Sequence, residues 1–183
     1  VIIVTLYTAP QSIKGQNLVD DFAKKQTRNL FKNIESLHKK GYAFGHQDAP
    51  CYGIGWQNDG TFFRSDVNDV AGDFPAVFGF DIGNIEIGRE HNLDTVYFKV
   101  MKKLIRKAHK RNGIISISWH PDNLASGGSS WDTTTVVKRI LKGGDLHQQY
   151  RDYVSKTASF LKRIDGFLGK DIPVVFRPYH EMN

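Results

Sequence analysis

The last seven residues of the chain have the side chains that acid–base chemistry needs, in the order Arg177-Pro178-Tyr179-His180-Glu181-Met182-Asn183. A glutamate close to an arginine often forms only a structural ion pair. Here the glutamate sits next to a histidine and directly follows an apolar run typical of a buried strand. A carboxyl at such a position can be desolvated enough to hold a proton near neutral pH. The segment therefore predicts that Glu181 is a general acid.

Polar and aromatic residues also follow three earlier apolar runs. They are His46, Gln47, Asp48, Tyr52 and Trp56; Asp81, Asn84 and Glu86; and Trp119, His120, Asp122 and Asn123, with Trp131 beyond. Because ligands bind at the carboxyl ends of parallel strands, we expect these groups to share one face. A single tryptophan is more often a packing residue. Flat amphipathic rings beside carboxylates and amides also suit a sugar, which has an apolar face and a rim of hydroxyls.

Three histidines near different strand ends, His46, His120 and His180, could instead be metal ligands. The sequence has no His-x-His pair and no His-x-x-x-His pair among them. Hydrogen-bonding histidines in a metal-free site explain the three positions as well, and we favour that explanation. We therefore predict neither a metal nor an organic cofactor.

The elements that position these residues follow from the spacing of apolar side chains, which alternates between helical and extended patterns. The pattern predicts helices over 17–40, 93–108 and 146–168, and a short helix capped by Ser65-Asp66. It predicts strands over 42–46, 76–81, 114–120 and 172–177.

Strands that alternate with helices pair in parallel, and continuous apolar runs are typical of strands covered on both faces. The fold class is therefore α/β, either an open four-stranded sheet or half of a barrel. The chain has 183 residues and stops just past a strand, whereas a complete barrel needs about 250 residues. We predict a (β/α)8 TIM barrel to which this chain, residues 1–183 of a single catalytic domain, supplies about the first four β/α units.

The composition excludes several classes of protein. With 40% hydrophobic and 24% charged residues, the chain is neither collagen-like nor wholly disordered, and it has no apolar stretch of transmembrane length. The single cysteine, Cys51, excludes an intrachain disulfide. The net charge of +6 could attract a nucleic acid through the basic cluster 102–111. A solvated outer helix face is the favoured explanation, because the aromatic residues lie on other loops.

Three blocks of the chain, in this order, carry a resemblance to a known family. They are Gly45-His46-Gln47-Asp48 with Tyr52-Gly53 and Trp56, then Ser118-Trp119-His120 with Asn123, then Arg177 to Asn183. Two further segments lie in the same order, Ser65-Asp66-Val67 and 75–81. With these motifs the chain resembles the catalytic domain of glycoside hydrolase family 26, best known for β-mannanases, from about Arg28 onward. One position differs, because the aromatic residue before His180 is commonly Trp in the family and is Tyr179 here.

The resemblance implies a (β/α)8 barrel that hydrolyses β-linked glycans with retention, with Glu181 as the general acid/base. It implies that His120 and His180 contact the sugar at the cleavage point and that Arg177 supports them. We expect the remaining substrate contacts from Trp119, Trp131, Asp48 and Trp56. Family members supply a second glutamate, the nucleophile, from a later strand. Retention needs two carboxyl groups about 5–5.5 Å apart, so we expect this chain alone to be inactive.

The expected enzyme is an endo-β-1,4-mannanase acting on mannan, glucomannan or galactomannan. We expect it to be a monomer when complete, with no nucleic-acid partner, and secreted, periplasmic or at the cell surface. Specificity for β-1,3-xylan or mixed-linkage β-glucan is one alternative within the family. A glycan-binding module that has lost its chemistry is a second alternative.

Overall fold

The computed structural model describes residues 18, 20–164 and 171–181. Its strands are β1 (Gly45–Gln47), β2 (Tyr52–Gly53), β3 (Trp56–Gln57), β4 (Val77–Asp81), β5 (Ile114–Trp119) and β6 (Val174–Pro178). Its helices are α1 (Lys25–Leu37), α2 (Asp66–Ala71), α3 (Phe98–Lys110), α4 (Val137–Ile140) and α5 (His147–Lys162). No helix in this part of the chain is long and apolar enough to cross a membrane.

Four of the strands form one sheet in the order β1-β4-β5-β6, and every pairing in it is parallel. The strands β2 and β3 form a separate antiparallel hairpin between β1 and α2. Strands that follow one another along the chain are therefore neighbours in the sheet, with helices in the crossovers, as in a β/α barrel. The predicted α/β class and parallel pairing are confirmed.

The hydrophobic core lies against the two central strands. Phe80 of β4, Ile115 and Ile117 of β5, and Met101 and Leu104 of α3 are fully buried. Helix α3 buries one stripe at helical spacing, and burying each large side chain contributes about 1.5–3 kcal/mol. The outer strands differ, since every residue of β1 is exposed and β6 is only half-buried or exposed.

Basic residues in α3 and directly after it contact neighbouring segments of the protein. The Lys107 ammonium donates to the carbonyls of Gly60, Thr61 and Phe62 at 2.8–3.0 Å. The Arg111 guanidinium lies 4.2 Å from the ring centre of Phe74. These contacts occupy part of the cluster that could have bound a nucleic acid, and they favour a structural role for it.

The boundaries of several elements differ from the sequence-based predictions. The strand predicted at 42–46 is shifted to 45–47, and Tyr42 is 91% exposed rather than buried. Helix α3 begins at Phe98 rather than 93, because Tyr97 has extended backbone angles and forms a bridge with His91. Helix α1 begins at Lys25, and the predicted helical residues 165–168 lie outside the described residues.

The predicted cap at Ser65 is confirmed. Its side chain accepts a hydrogen bond from the Val67 backbone N–H at 3.1 Å, at the start of α2. A serine at this position satisfies one of the backbone donors that a helix leaves unpaired at its first turn.

Candidate active site

Three polar residues on neighbouring strands lie side by side at the carboxyl end of the sheet. Asp81 of β4 pairs in register with Ser118 of β5, and Ser118 pairs with Arg177 of β6. Ser116 lies two residues before Ser118 and therefore points to the same face of β5. The two serines alternate with the buried Ile115 and Ile117, so one face of β5 carries hydroxyl groups and the opposite face is apolar.

The buried Asp81 carboxylate accepts three hydrogen bonds. Its Oδ2 accepts from the Ser118 hydroxyl at 2.7 Å and lies 2.6 Å from His120 Nδ1. Its Oδ1 accepts from the Gly83 backbone N–H at 2.8 Å. These bonds fix His120, which directly follows β5, against the end of β4.

The Arg177 side chain links Ser116 to His180. Its Nε donates to the Ser116 hydroxyl at 3.1 Å, and its Nη1 lies 3.3 Å from His180 Nδ1. Burial lowers the pKa of His180, and the charges of Arg177 and His120 lower it further. His180 is therefore a neutral ring at neutral pH.

Glu181 lies between the two histidines. Its Oε2 is 3.6 Å from His120 Nε2, and its Oε1 is 3.8 Å from His180 Nε2. The two imidazole rings are 4.9 Å apart between centres. The Glu181 side chain is 42% exposed, so it can reach a bound molecule. These distances are just beyond hydrogen-bond length, as is common for catalytic groups before substrate binds.

The backbone is strained next to this cluster. Glu181 and Tyr179 both have positive φ values, 61° and 53°, although neither is a glycine. Non-glycine residues in this region of backbone conformation are uncommon and gather at functional sites. The turn after β6 thereby directs Glu181 toward His120.

The same three side chains could hold one divalent cation. A nitrogen of His120, a nitrogen of His180 and a carboxylate oxygen of Glu181 lie within 4.8 Å of one another. His46 is exposed on β1 and lies outside this group. Of the three histidines that the sequence offers as metal ligands, His120 and His180 lie close enough together to share one ion. The absence of a metal stays a prediction.

Trp119 is buried, and its indole N–H has a partner within the protein. It is 2% exposed, its Nε1 donates to Glu86 Oε2 at 3.0 Å, and its ring packs 5.8 Å from that of Tyr179. Glu86 Oε1 also accepts from the backbone N–H of Asp122 at 3.1 Å. The expected sugar contact of Trp119 stays a prediction, and in this structure its ring packs beside Tyr179 on the loop next to His120.

Asp48 is also enclosed, at 1% exposure. Neither of its carboxylate oxygens has a hydrogen-bond partner of ordinary geometry among the described residues. Burial raises its pKa to about 7, and the charges of Asp94 and Asp81 add to the rise, while Cys51 and Gln47 oppose it. The expected contact between Asp48 and substrate stays a prediction, and the structure places this carboxyl in an enclosed position.

The other two tryptophans lie on separate loops. Trp56, in the hairpin, donates through Nε1 to Asp66 Oδ1 at 2.6 Å and stacks with Arg64 at 5.1 Å. Trp131 is 68% exposed in the loop after β5. In the described part of the chain, no hydrogen bond or ring contact joins either tryptophan to the cluster of His120, His180 and Glu181. Trp131 remains available for a sugar face, whereas the Trp56 indole N–H is occupied.

A cleft of about 620 Å³ opens beside Tyr179. Its wall combines hydroxyl, amide and apolar groups from the loop after β5, from α4 and from α5, including Asn123, Thr134, Ile140, Tyr150 and Tyr153. A cavity of this size, with aromatic rings and a few polar groups, is typical of small-molecule and glycan sites.

Sequence reasoning passed over Ser116, and it singled out Ser118 in a family motif and Glu86 after a strand without predicting a supporting role for either. A usable signal was present, because Ile-Ser-Ile-Ser in β5 alternates where a fully buried strand should be continuously apolar. Glu86 lacked such a signal, since a glutamate in a loop has no spacing that shows burial.

Comparison with known proteins gives the family. Residues 19–183 match glycosyl hydrolase family 26. A mannan endo-1,4-beta-mannosidase from Bifidobacterium adolescentis is 33% identical over 174 residues, covering 91% of this chain and 17% of that protein.

Solved structures agree with this match. A family 26 β-mannanase from Bacteroides ovatus is 43% identical with a TM-score of 0.82, covering 87% of this chain and 46% of that one. A modular endo-beta-1,4-mannanase from Cellulomonas fimi is 35% identical with a TM-score of 0.74, and the match covers 87% of this chain and 36% of that one. The chain thus spans less than half the length of each of these relatives, and its sheet corresponds to part of a (β/α)8 barrel. The chain belongs to glycosyl hydrolase family 26.

Proposed function

We propose that the protein containing this chain is a retaining glycoside hydrolase that cleaves β-1,4-mannosidic bonds in mannan, glucomannan or galactomannan. The observation that carries the proposal is an exposed Glu181 whose two carboxylate oxygens face the Nε2 atoms of His120 and His180 at 3.6 and 3.8 Å. The similarity of the chain to β-mannanases supports mannan as the substrate.

Glu181 acts twice in this proposal. It first protonates the glycosidic oxygen that leaves, and it then takes a proton from the water that releases the sugar. His120 and His180 contact the sugar at the cleavage point, and Arg177 holds His180. Trp131 offers its exposed ring to a further sugar.

The nucleophile is a glutamate outside these 183 residues. Near the strand ends, Asp81 already accepts three hydrogen bonds, Glu86 accepts two, and Asp48 is enclosed. None of these three carboxylates is free to attack an anomeric carbon. Retention requires such a group about 5–5.5 Å from the acid/base.

The test is hydrolysis of β-mannan and of mannooligosaccharides by the full-length protein, with the product anomer followed by NMR. The proposal predicts that the first product formed is the β-anomer. An α-anomer would mean inversion and would refute the two-step mechanism. Cleavage of β-1,3-xylan or mixed-linkage β-glucan instead of mannan would replace the substrate, and mannan binding without hydrolysis would favour a binding module.

We further propose that the enzyme needs no metal and works as a monomer outside the cytoplasm, where polymeric mannan is accessible. Incubation with a chelator should leave its activity unchanged. Inactivation that zinc reverses would instead assign a metal to His120, His180 and Glu181.

A further inference from the structure

We propose that Asp81 and Arg177 are positioning residues that hold His120 and His180 in opposite neutral tautomers. Glu181 then faces one hydrogen-bond acceptor and one hydrogen-bond donor. This inference rests on the proposed role of Glu181 as acid/base, and it assigns a function to the network behind the two histidines.

The tautomer of His120 follows from its partner. The Asp81 carboxylate receives hydrogen bonds from Ser118 and Gly83, and its oxygens act as acceptors. His120 Nδ1, at 2.6 Å from Asp81 Oδ2, must therefore carry the proton in that contact. In the neutral ring, the other nitrogen, Nε2, has a lone pair, and this lone pair lies on the side of Glu181 Oε2.

The tautomer of His180 is the reverse. A guanidinium group can only donate hydrogen bonds, so His180 Nδ1 is the acceptor of the contact with Arg177 Nη1 at 3.3 Å. The neutral ring then carries its proton on Nε2, which lies on the side of Glu181 Oε1. The lowered pKa of His180 agrees with a neutral ring.

Opposite tautomers suit a group that must alternate between two protonation states. A protonated Glu181 can donate to His120 Nε2, and an ionised Glu181 can accept from His180 Nε2. If both histidine Nε2 atoms were donors, they would stabilise only the ionised carboxylate of Glu181. If both were acceptors, they would stabilise only its protonated form. A retaining acid/base passes through both states in each turnover.

The charged groups that face the two rings differ in sign. His120 faces Asp81, Asp94, His180 and Glu181, so carboxylates and a second imidazole surround it. His180 faces Arg177, His120, Glu181 and, further away, Asp81. The positive guanidinium beside His180 opposes a second positive charge there, and the hydrogen bond to Asp81 orients His120.

The central strand β5 fixes both positioning residues. Ser118 holds Asp81 from β4, and Ser116 holds Arg177 from β6. The two serines therefore set the tautomers at two neighbouring strand ends from a single face of β5.

The direct test uses 15N-labelled histidine in the full-length protein. Long-range 1H–15N NMR spectra distinguish protonated from unprotonated ring nitrogens, and His120→Gln and His180→Gln variants assign the signals. We expect the proton of His120 on Nδ1 and that of His180 on Nε2 at the pH of activity. The same tautomer on both rings, or a doubly protonated His120, would overturn the proposal. This spectrum does not depend on mannan cleavage, so its failure is separate from failure of the proposed function.

Variants test the positioning role. In Asp81→Asn the amide can donate to His120 Nδ1 and move the ring proton to Nε2, and kcat/KM should fall about 10- to 100-fold, the usual effect of losing the partner that orients a histidine. The matched control is Asp94→Asn, which removes a carboxylate charge near His120 with no hydrogen bond to its ring. The control should keep the tautomer and nearly all activity. An unchanged tautomer in Asp81→Asn would contradict the proposal.

Arg177 gives an independent second test. Arg177→Met should leave His180 as a mixture of tautomers, and Arg177→Lys should restore the Nε2 proton because an ammonium group also donates. A single unchanged His180 tautomer in Arg177→Met would show that Arg177 does not set it. Circular dichroism of each variant checks that the fold is retained, and the wild-type spectrum decides the tautomers even if a variant fails to fold.

Discussion

Carboxyl groups at the strand ends differ in what surrounds them, and this difference separates their roles. Asp81 and Glu86 are buried and accept hydrogen bonds from several donors, which suits groups that orient other side chains. Glu181 is 42% exposed, with histidine nitrogens just beyond hydrogen-bond length. Of these three groups, Glu181 alone has the exposure that the proposed acid/base role requires.

Asp48 makes the stability of the protein depend on pH. Its pKa of about 7 in the folded protein exceeds the ordinary value of 3.8, so the folded state holds a proton that the unfolded state has lost. The free energy of unfolding therefore falls as pH rises from about 4 to about 7, by about 4 kcal/mol at most, and the loss is complete above pH 7. Asp48→Asn should remove this part of the pH dependence. Urea unfolding of the full-length wild type and of Asp48→Asn at pH 5 and 8 measures this effect. If the unfolding free energy changes equally between the two pH values in both proteins, the prediction is contradicted.

His120 should matter for catalysis more than for folding. The side chain lies at the end of β5, with Asp81 on one side and Glu181 on the other. In the full-length protein, His120→Ala should lower kcat/KM on mannooligosaccharides by about 10- to 150-fold, because a hydrogen bond to a charged group contributes about 1.5–3 kcal/mol. The matched control is His38→Ala at the exposed end of α1, which should have no effect. An unchanged kcat/KM in His120→Ala would make His120 a structural residue.

At the scale of the elements, the long periodic segments were predictable and the short edge elements were not. The apolar stripe of α3 predicts a helix and the apolar run 114–119 predicts a strand, because many buried side chains in each segment follow the same spacing. Strand β1 has only three residues and pairs with β4 alone in the described sheet. Its pairing depends on its neighbour, so the apolar residues Tyr42 and Phe44 pointed to the wrong position.

For the candidate site, sequence reasoning grouped residues correctly by strand end but could not rank them by exposure. His120, His180, Arg177 and Glu181 meet through the parallel register of β5 and β6. Trp119 and Asp48 belong to the same strand ends, yet both are buried. Burial depends on which loops cover a residue, and these loops have no periodic pattern to reveal it.

The loop that carries Trp131 is held by one buried side chain. The Asn123 amide donates to the carbonyls of Asp132 and Thr134 at 3.1 and 2.8 Å, and its oxygen accepts from the Ala125 N–H. If Trp131 binds a sugar, Asn123→Ala should raise KM by about 2- to 10-fold with kcat nearly unchanged, since an aromatic contact contributes about 0.5–1.5 kcal/mol.

A double-mutant cycle in the full-length protein checks this link between Asn123 and Trp131. Because both changes remove the same contact, Asn123→Ala combined with Trp131→Ala should raise KM no more than Trp131→Ala alone. Additive effects on KM would show that Asn123 acts on something other than the tryptophan.

At the scale of the whole molecule, the polypeptide 1–183 should be inactive by itself and prone to self-association. Its outer strands β1 and β6 each have one neighbour in the described sheet, and Tyr42 and Phe44 beside β1 are exposed. Unpaired strand edges next to apolar side chains favour association. Size-exclusion chromatography and a mannan assay test this prediction. A monomer that unfolds cooperatively and hydrolyses mannan would contradict both the half-barrel interpretation and a nucleophile outside this chain.

The proposed role of Glu181 as the acid/base can be tested with substrates that differ in their leaving group. When mannan is cleaved, the leaving group is a sugar oxygen that is strongly basic and must be protonated. The phenolate of an activated aryl mannobioside is a weak base and leaves without a proton. In full-length Glu181→Ala, mannan hydrolysis should therefore fall about 10²–10⁴-fold, while glycosylation by the aryl substrate largely survives.

The decisive measurement is the time course of phenol release from the aryl mannobioside by Glu181→Ala, with and without azide. If Glu181 is the acid/base, phenol release should show a rapid burst followed by a slow phase, because no base remains to activate water. Azide should accelerate the slow phase, since it attacks the glycosyl-enzyme without a base. Equal loss of activity on mannan and on the aryl substrate, with no burst and no effect of azide, would contradict the assignment of Glu181 as the acid/base.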